Sequence, residues 1–257
     1  MFILKLPFAT GFLIAMLTGV AFTSILFLVV HGFLRDKRSK TTRTFAQQMA
    51  LRIGTLHALI IALVFGVIAS AYMDLEKSLD VEATSIGSLY TALTAIPSDK
   101  NEKIRNQLIL YLKNLIDTEW RQKTKRPLGK STGRILFKIM QNMQNWQTTQ
   151  LYEEKIKNYA MDLVLKINEQ RIRRLYAWYR EEIPPIFWVI AVAGFILTLV
   201  PYLTVELTKT RFFLINCYAC MVGITFYGII LLNNPFMNGL VAPTPYEMIY
   251  NEMKEGF

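Results

Sequence analysis

Four stretches of this chain contain no Asp, Glu, Lys or Arg: Leu6 to Leu34, Ile53 to Met73, Ile183 to Val205, and Phe212 to Leu232. Each reaches the roughly 20 residues that a ~30 Å hydrocarbon core demands. In lipid every backbone N–H and C=O must be satisfied within its own segment, so open-ended runs of this kind are helices. The chain is only 19% charged against 53% apolar, and the apolar residues lie in uncharged blocks, not at the period of a water-soluble core. These features define an all-α, multi-pass membrane protein with four transmembrane helices. The lipid bilayer is its first partner.

The first run is about twice the length of a signal-peptide core. It is followed by Arg35-Asp36-Lys37-Arg38 instead of a small-residue cleavage site, so it reads as a retained anchor. Pro184 and Pro185 suit the first turn of the third span, and Pro201 is expected to kink it or end it early. The chain divides into 1–73, the first two spans and a short basic loop; 74–182, a water-exposed domain; 183–232, the last two spans; and 233–257, a Pro/Asn-containing tail read as turn or loop.

Between the second and third spans the apolar residues return at helical spacing. Leu75, Leu79, Ile86, Leu89, Leu93 and Ile96 keep a four-three rhythm up to Pro97, after which Ser98 or Asp99 can cap the next helix. Ile104, Leu108, Tyr111 and Leu115 repeat it as far as Trp120. Arg121 to Thr132 is basic and holds Pro127 and Gly129, a loop. Helix resumes through Ile135, Ile139, Met143 and Trp146, and again through Ile156, Tyr159, Leu163 and Ile167. The inserted domain is a helical bundle.

The net charge is +10, from 29 basic and 19 acidic residues. No nucleic-acid-binding motif accompanies it, so the charge is assigned to anionic headgroups and to orientation. Arg35 to Arg52 holds six basic residues and one acidic. That bias favours this loop on the cytoplasmic side and the large domain outside. Arg171, Arg173, Arg174 and Arg180, at the start of the third span, pull the other way.

The second span carries Gly54, Ala58, Ala62, Gly66 and Ser70, one every four residues. The first carries Gly11, Ala15, Gly19 and Thr23 at the same step. Strips of small residues let helix backbones approach closely, so the two strips are expected to pack on each other or on copies in neighbouring subunits. His57 is the titratable side chain inside the second span. It reads either as a functional group or as a neutral imidazole bonded to a backbone carbonyl or to water. Glu82 stands where the seam through Leu79 and Ile86 calls for an apolar side chain. A buried carboxylate needs a partner, and Arg171 or Arg174 can supply it; the alternative is a helix wet on that side.

Several motifs carry no chemistry. Cys217 and Cys220 have CxxC spacing but lie inside an apolar span, where thiols act as small fillers. Gly129-Lys130-Ser131-Thr132 ends like a phosphate loop, but Thr124 stands where that pattern needs its first Gly. No catalytic constellation, metal-ligand set or cofactor motif appears, so the chain reads as a non-enzyme without cofactor.

A set of ordered motifs resembles the bestrophin-like family of bacterial membrane proteins. It comprises Leu75-Glu76 through Val81-Glu82-Ala83, Leu89-Tyr90, Ile96-Pro97, Tyr111 with Glu119-Trp120, and Gln170-Arg171-Ile172-Arg173-Arg174-Leu175. It continues with Ile183-Pro184, Phe187-Trp188, Leu232-Asn233-Asn234-Pro235-Phe236, Gly239 and Pro243 to Glu247. The family's ending usually has an acidic and a basic residue at Asn233 and Asn234, so no charge-dependent role is carried over there. The resemblance implies kinship with bestrophins, pentameric anion channels with a large helical domain between helices two and three. Bestrophins hold that domain in the cytoplasm, opposite to the side favoured by the basic first loop. The expectation is a homo-oligomer in a bacterial inner membrane that conducts inorganic ions along its second helix, with Glu82 in the seam that continues it. The alternative is a non-conducting scaffold that holds a partner through its helical domain. Nucleic acid is not an expected partner.

Overall fold

The computed structural model describes residues 8–33, 40–96, 98–120, 129–148, 150–179, 183–203 and 208–255. Among them every regular element is helical: α1 Phe8–Phe33, α2 Lys40–Thr94, α3 Asp99–Asn114, α4 Lys130–Gln144, α5 Leu151–Tyr179, α6 Pro185–Leu203, α7 Lys209–Asn233, α8 Pro235–Asn238 and α9 Thr244–Glu255. A π-helical segment, Leu115–Trp120, continues α3. The helices sort into two compact units, Met1–Ala71 with Glu181–Asn238, and Tyr72–Arg180 with Gly239–Phe257. α2 contributes to both. It has no proline between Lys40 and Thr94, which lets one helix run for 55 residues.

In the first unit, Phe8–Val29, Thr44–Thr94 and Lys209–Asn233 hold windows long and apolar enough to cross a membrane; Pro185–Leu199 is a shorter apolar helix. The protein is therefore a helical membrane protein. Pro185 opens α6, as its missing N–H permits, and Pro201 lies within the helix, two residues before its end at Leu203. The strip on α1 packs against α7 and not against α2. A Cβ built on Gly19 would lie 2.5 Å from the Ala219 carbonyl oxygen, and one on Gly223 would lie 2.5 Å from the Ala15 carbonyl oxygen. Backbone meets backbone there, which only residues without a side chain allow. α2 meets α6 and α7 through Ile61 and Ile68, which pack with Ile183, Phe187, Ala191 and Ile229.

The second unit is built on the four-three seam. Leu75, Leu79, Ile86, Leu89 and Leu93 are buried, as are Ile104, Leu108, Tyr111 and Leu115 of the α3 rhythm. Each such aliphatic side chain contributes ~1.5–3 kcal/mol on burial. Ser98 caps α3, its side chain accepting from the Asn101 N–H at 3.2 Å. The π-helical turn widens the helix so that Leu115, Glu119 and Trp120 all turn inward. Tyr159, counted in the α5 rhythm, is 53% exposed instead.

Two readings differ from the structure. The tail is not loop: α8 and α9 occupy most of it, because Pro235 and Pro245 fall in first turns, where a missing N–H leaves no bond unmade. Residues Lys40 to Arg52, counted with the basic loop, are the start of α2. Of the expected loop Arg121 to Thr132, Lys130 to Thr132 open α4, and 121–128 lie outside the described residues, as do 34–39 and 204–207.

Candidate functional site

Two rungs join α2 to α5. Ser78 Oγ donates to Gln170 Oε1 at 2.8 Å, and one turn further on both helices Glu82 meets Arg174. Neither Glu82 nor Arg174 has any exposed surface. Arg174 Nε donates to Glu82 Oε2 at 3.0 Å and its Nη2 to Glu82 Oε1 at 3.3 Å. The third arm, Nη1, donates to Glu119 Oε2 at 2.9 Å. Tyr111 Oη donates to Glu82 Oε1 at 2.6 Å and Tyr246 Oη to Glu82 Oε2 at 2.8 Å. Thr132 donates to Glu119 Oε1. One guanidinium is thus shared by two carboxylates, and each Glu82 oxygen accepts two hydrogen bonds.

The electrostatics follow from burial. Desolvation, then the Glu82 carboxylate, push the Tyr111 and Tyr246 phenols well above their usual range, so both remain donors. Burial opposes the charge on Arg174, but Glu82 and its other neighbours outweigh it and hold the guanidinium well above its ordinary value. The rings of Trp120 and Tyr246 lie 5.9 Å from Arg174 Cζ, within cation–π reach. Both Glu82 oxygens are filled by protein donors. The cluster fastens α2, α3 with its π-helical turn, α4, α5 and α9 at one point.

Arg171 does not reach Glu82. Its Nε donates to Thr132 Oγ1 at 3.3 Å and its Nη2 to the Gly129 carbonyl. His57 belongs to the first unit, buried, with Nε2 2.9 Å from the Ala191 carbonyl oxygen. Gly194 makes room for the ring, since a Cβ there would lie 2.4 Å from His57 Cδ2. On α2, Gly54 sits against Thr198, while Ala58, Ala62, Gly66 and Ser70 are exposed on the chain, and a Cβ on Gly66 would meet nothing within 4 Å.

The Bestrophin-like domain family model matches residues 17–242. The chain belongs to the bestrophin-like family. Its fold is similar to that of a bacterial bestrophin homolog from Klebsiella pneumoniae, a mutant form, with a TM-score of 0.64 and 11% identity over 95% of this chain and 99% of that one. A second solved structure, of a mutant membrane protein, aligns with a TM-score of 0.60 and 13% identity, covering 95% and 97% of the two chains. No curated protein matches the sequence.

In this bestrophin-like chain Asn234 has a capping role at the end of α7. Its N–H bonds the Leu231 carbonyl and its side-chain amide the Ile230 carbonyl, both at 3.1 Å. The sequence alone does not bring Glu119, Tyr111, Tyr246 and Thr132 together with Glu82. Glu119 lacks the signal that marks Glu82: the α3 rhythm through Leu108, Tyr111 and Leu115 next calls for Thr118, and it is the π-helical turn that brings Glu119 inward instead. Tyr246 has no such signal, because nothing periodic leads to it.

Proposed function

We propose that this bestrophin-like protein is an assembly of several copies that conducts ions, anions by kinship, with α2 lining the path. The observation that carries the reading is the face of α2. Of its residues from Leu51 to Met73, His57, Ile61 and Ile68 are buried, a narrow line at helical spacing. Beyond Gly54, which sits against Thr198, the small-residue strip lies on another face, and Ala58, Ala62, Gly66 and Ser70 are exposed among the described residues. A flat strip without charges on a membrane helix is suited to close approach between copies around a common axis. In this reading the Glu82 cluster holds the extension of α2 against the helical domain and takes no part in catalysis.

The test is chloride efflux from liposomes holding the purified protein. Wild type is expected to leak chloride. Gly66→Leu is expected to reduce efflux or break the assembly on native gels, without lowering the thermal stability of the single chain, since a Cβ at Gly66 meets nothing within 4 Å there. Liposomes that hold their chloride gradient refute conduction and leave the non-conducting scaffold as the reading.

A further inference from the structure

α4 carries Lys130, Arg134 and Lys138 at i, i+4 and i+8, and has no Asp or Glu in its 15 residues. The other helices of its unit mix signs: Asp99 and Glu102 on α3, Glu247 on α9, and Glu169 paired with Arg173 at 2.7 Å on α5. Like charges four apart on one helix face repel. Lys130, Arg134 and Lys138 make no ion pair or hydrogen bond among the described residues. The general basicity of the chain does not account for a face that lacks the carboxylates its neighbours have.

These three cations line a groove of about 600 Å³ with Phe137, Gln141 and Arg171. That volume is in the range of small-molecule sites, and no acidic side chain lines it among the described residues. Arg171 is held at the groove by the Gly129 carbonyl and Thr132 Oγ1. Gly133 makes this placement possible, because a Cβ there would lie 2.7 Å from Arg171 Nη2. One cation is therefore oriented in advance, which lowers the ordering needed on binding. Phe137, 60% exposed among the cations, offers an apolar surface beside the charge.

We propose that this groove is a binding site for a phosphate-bearing anion, either free in solution or presented as a lipid headgroup. Guanidinium and ammonium groups lining one groove, with no carboxylate among its described residues, are suited to the oxygens of a phosphate. The proposal is independent of ion conduction.

The test uses the full chain in phosphatidylcholine nanodiscs. Titration calorimetry with inorganic tripolyphosphate reads the free anion. Co-flotation with phosphatidylcholine vesicles, with and without phosphatidic acid, reads the headgroup. Arg134→Gln and Lys138→Gln are each expected to weaken binding about tenfold, the loss of one charge-assisted contact. Lys166→Gln, exposed on α5 and outside the groove, is expected to change nothing. Tripolyphosphate binding with this pattern identifies a free anion, and flotation only with phosphatidic acid identifies a headgroup. Failure of both probes to bind overturns the proposal, as does binding that Arg134→Gln and Lys138→Gln leave unaltered. Both side chains are exposed, so the thermal stability of these variants is expected to match wild type.

Discussion

Replacing Arg174 by Met keeps most of the side-chain volume and removes the only cation that touches Glu82 and Glu119 among the described residues. Three hydrogen bonds go with it, of 3.0, 3.3 and 2.9 Å. Two carboxylates then remain in a site with at most 3% exposure. Removing one partner of a buried ion pair costs about 3–5 kcal/mol, and with two acids stranded the upper end is expected. For a chain of this size that corresponds to a fall in melting temperature of roughly 6–20 °C, at 2–4 °C per kcal/mol. Glu82→Gln is milder. It leaves one carboxylate to one guanidinium, but turns an amide NH2 toward an Arg174 donor and a tyrosine hydroxyl that the oxygen had accepted. Its cost is expected at about 2–3 kcal/mol. The double variant should fall short of the sum by roughly 1–3 kcal/mol, because the second change removes a group already without its partner. The assay is thermal unfolding in detergent followed by tryptophan fluorescence, to which Trp120, 5.9 Å from Arg174, is a local contributor. A loss under about 1 kcal/mol for Arg174→Met, or additive losses in the double variant, would refute the reasoning that the pair is buried and mutually dependent.

Stability should also fall in alkali. Tyr111 and Tyr246 ionise well above their usual value in the fold but near pH ~10 in the unfolded chain. Above that pH the unfolded state binds fewer protons than the native one, so unfolding free energy decreases as pH rises; Tyr246→Phe should flatten the decline in pH-dependent melting curves. In the membrane-spanning helices, Gly223→Val would place a side chain against the Ala15 carbonyl, where even a Cβ is at 2.5 Å. Overpacking of this kind costs about 1–3 kcal/mol, and native gels should show less folded protein than for Gly66→Ala. The basic first loop favours the helical domain outside, kinship with bestrophins implies the cytoplasm, and thiol labelling separates the two. On the side that kinship implies, a cysteine at exposed Lys166, in a background without Cys217 and Cys220, should react with an impermeant thiol reagent only after the membrane is opened. Reaction in intact cells would support the orientation read from the Arg35 to Arg52 charge bias.

Local chemistry determined much of this protein. Charge-free runs of about 20 residues leave a helix as the way to satisfy the backbone in lipid, so the membrane helices are legible in the bare chain. The four-three rhythm from Leu75 to Leu93 marks a buried face, and Glu82 stands out within it because a carboxylate there needs a cation. The same local rules mislead where elements are short: the prolines of the tail look like breaks, yet Pro235 and Pro245 fall in first turns and α9 forms. Which cation serves Glu82 was decided by tertiary structure. Arg171 and Arg174 are three residues apart on one helix, a rotation of about 300°, and only the packing of α5 on α2 decides which of them points at the seam. Glu119 and Tyr246 reach the same point from distant parts of the chain, and the α1 strip meets α7 instead of its sequence neighbour α2. Periodicity records which face of a helix is buried. What that face meets depends on contacts between residues far apart in sequence, and no single segment encodes them.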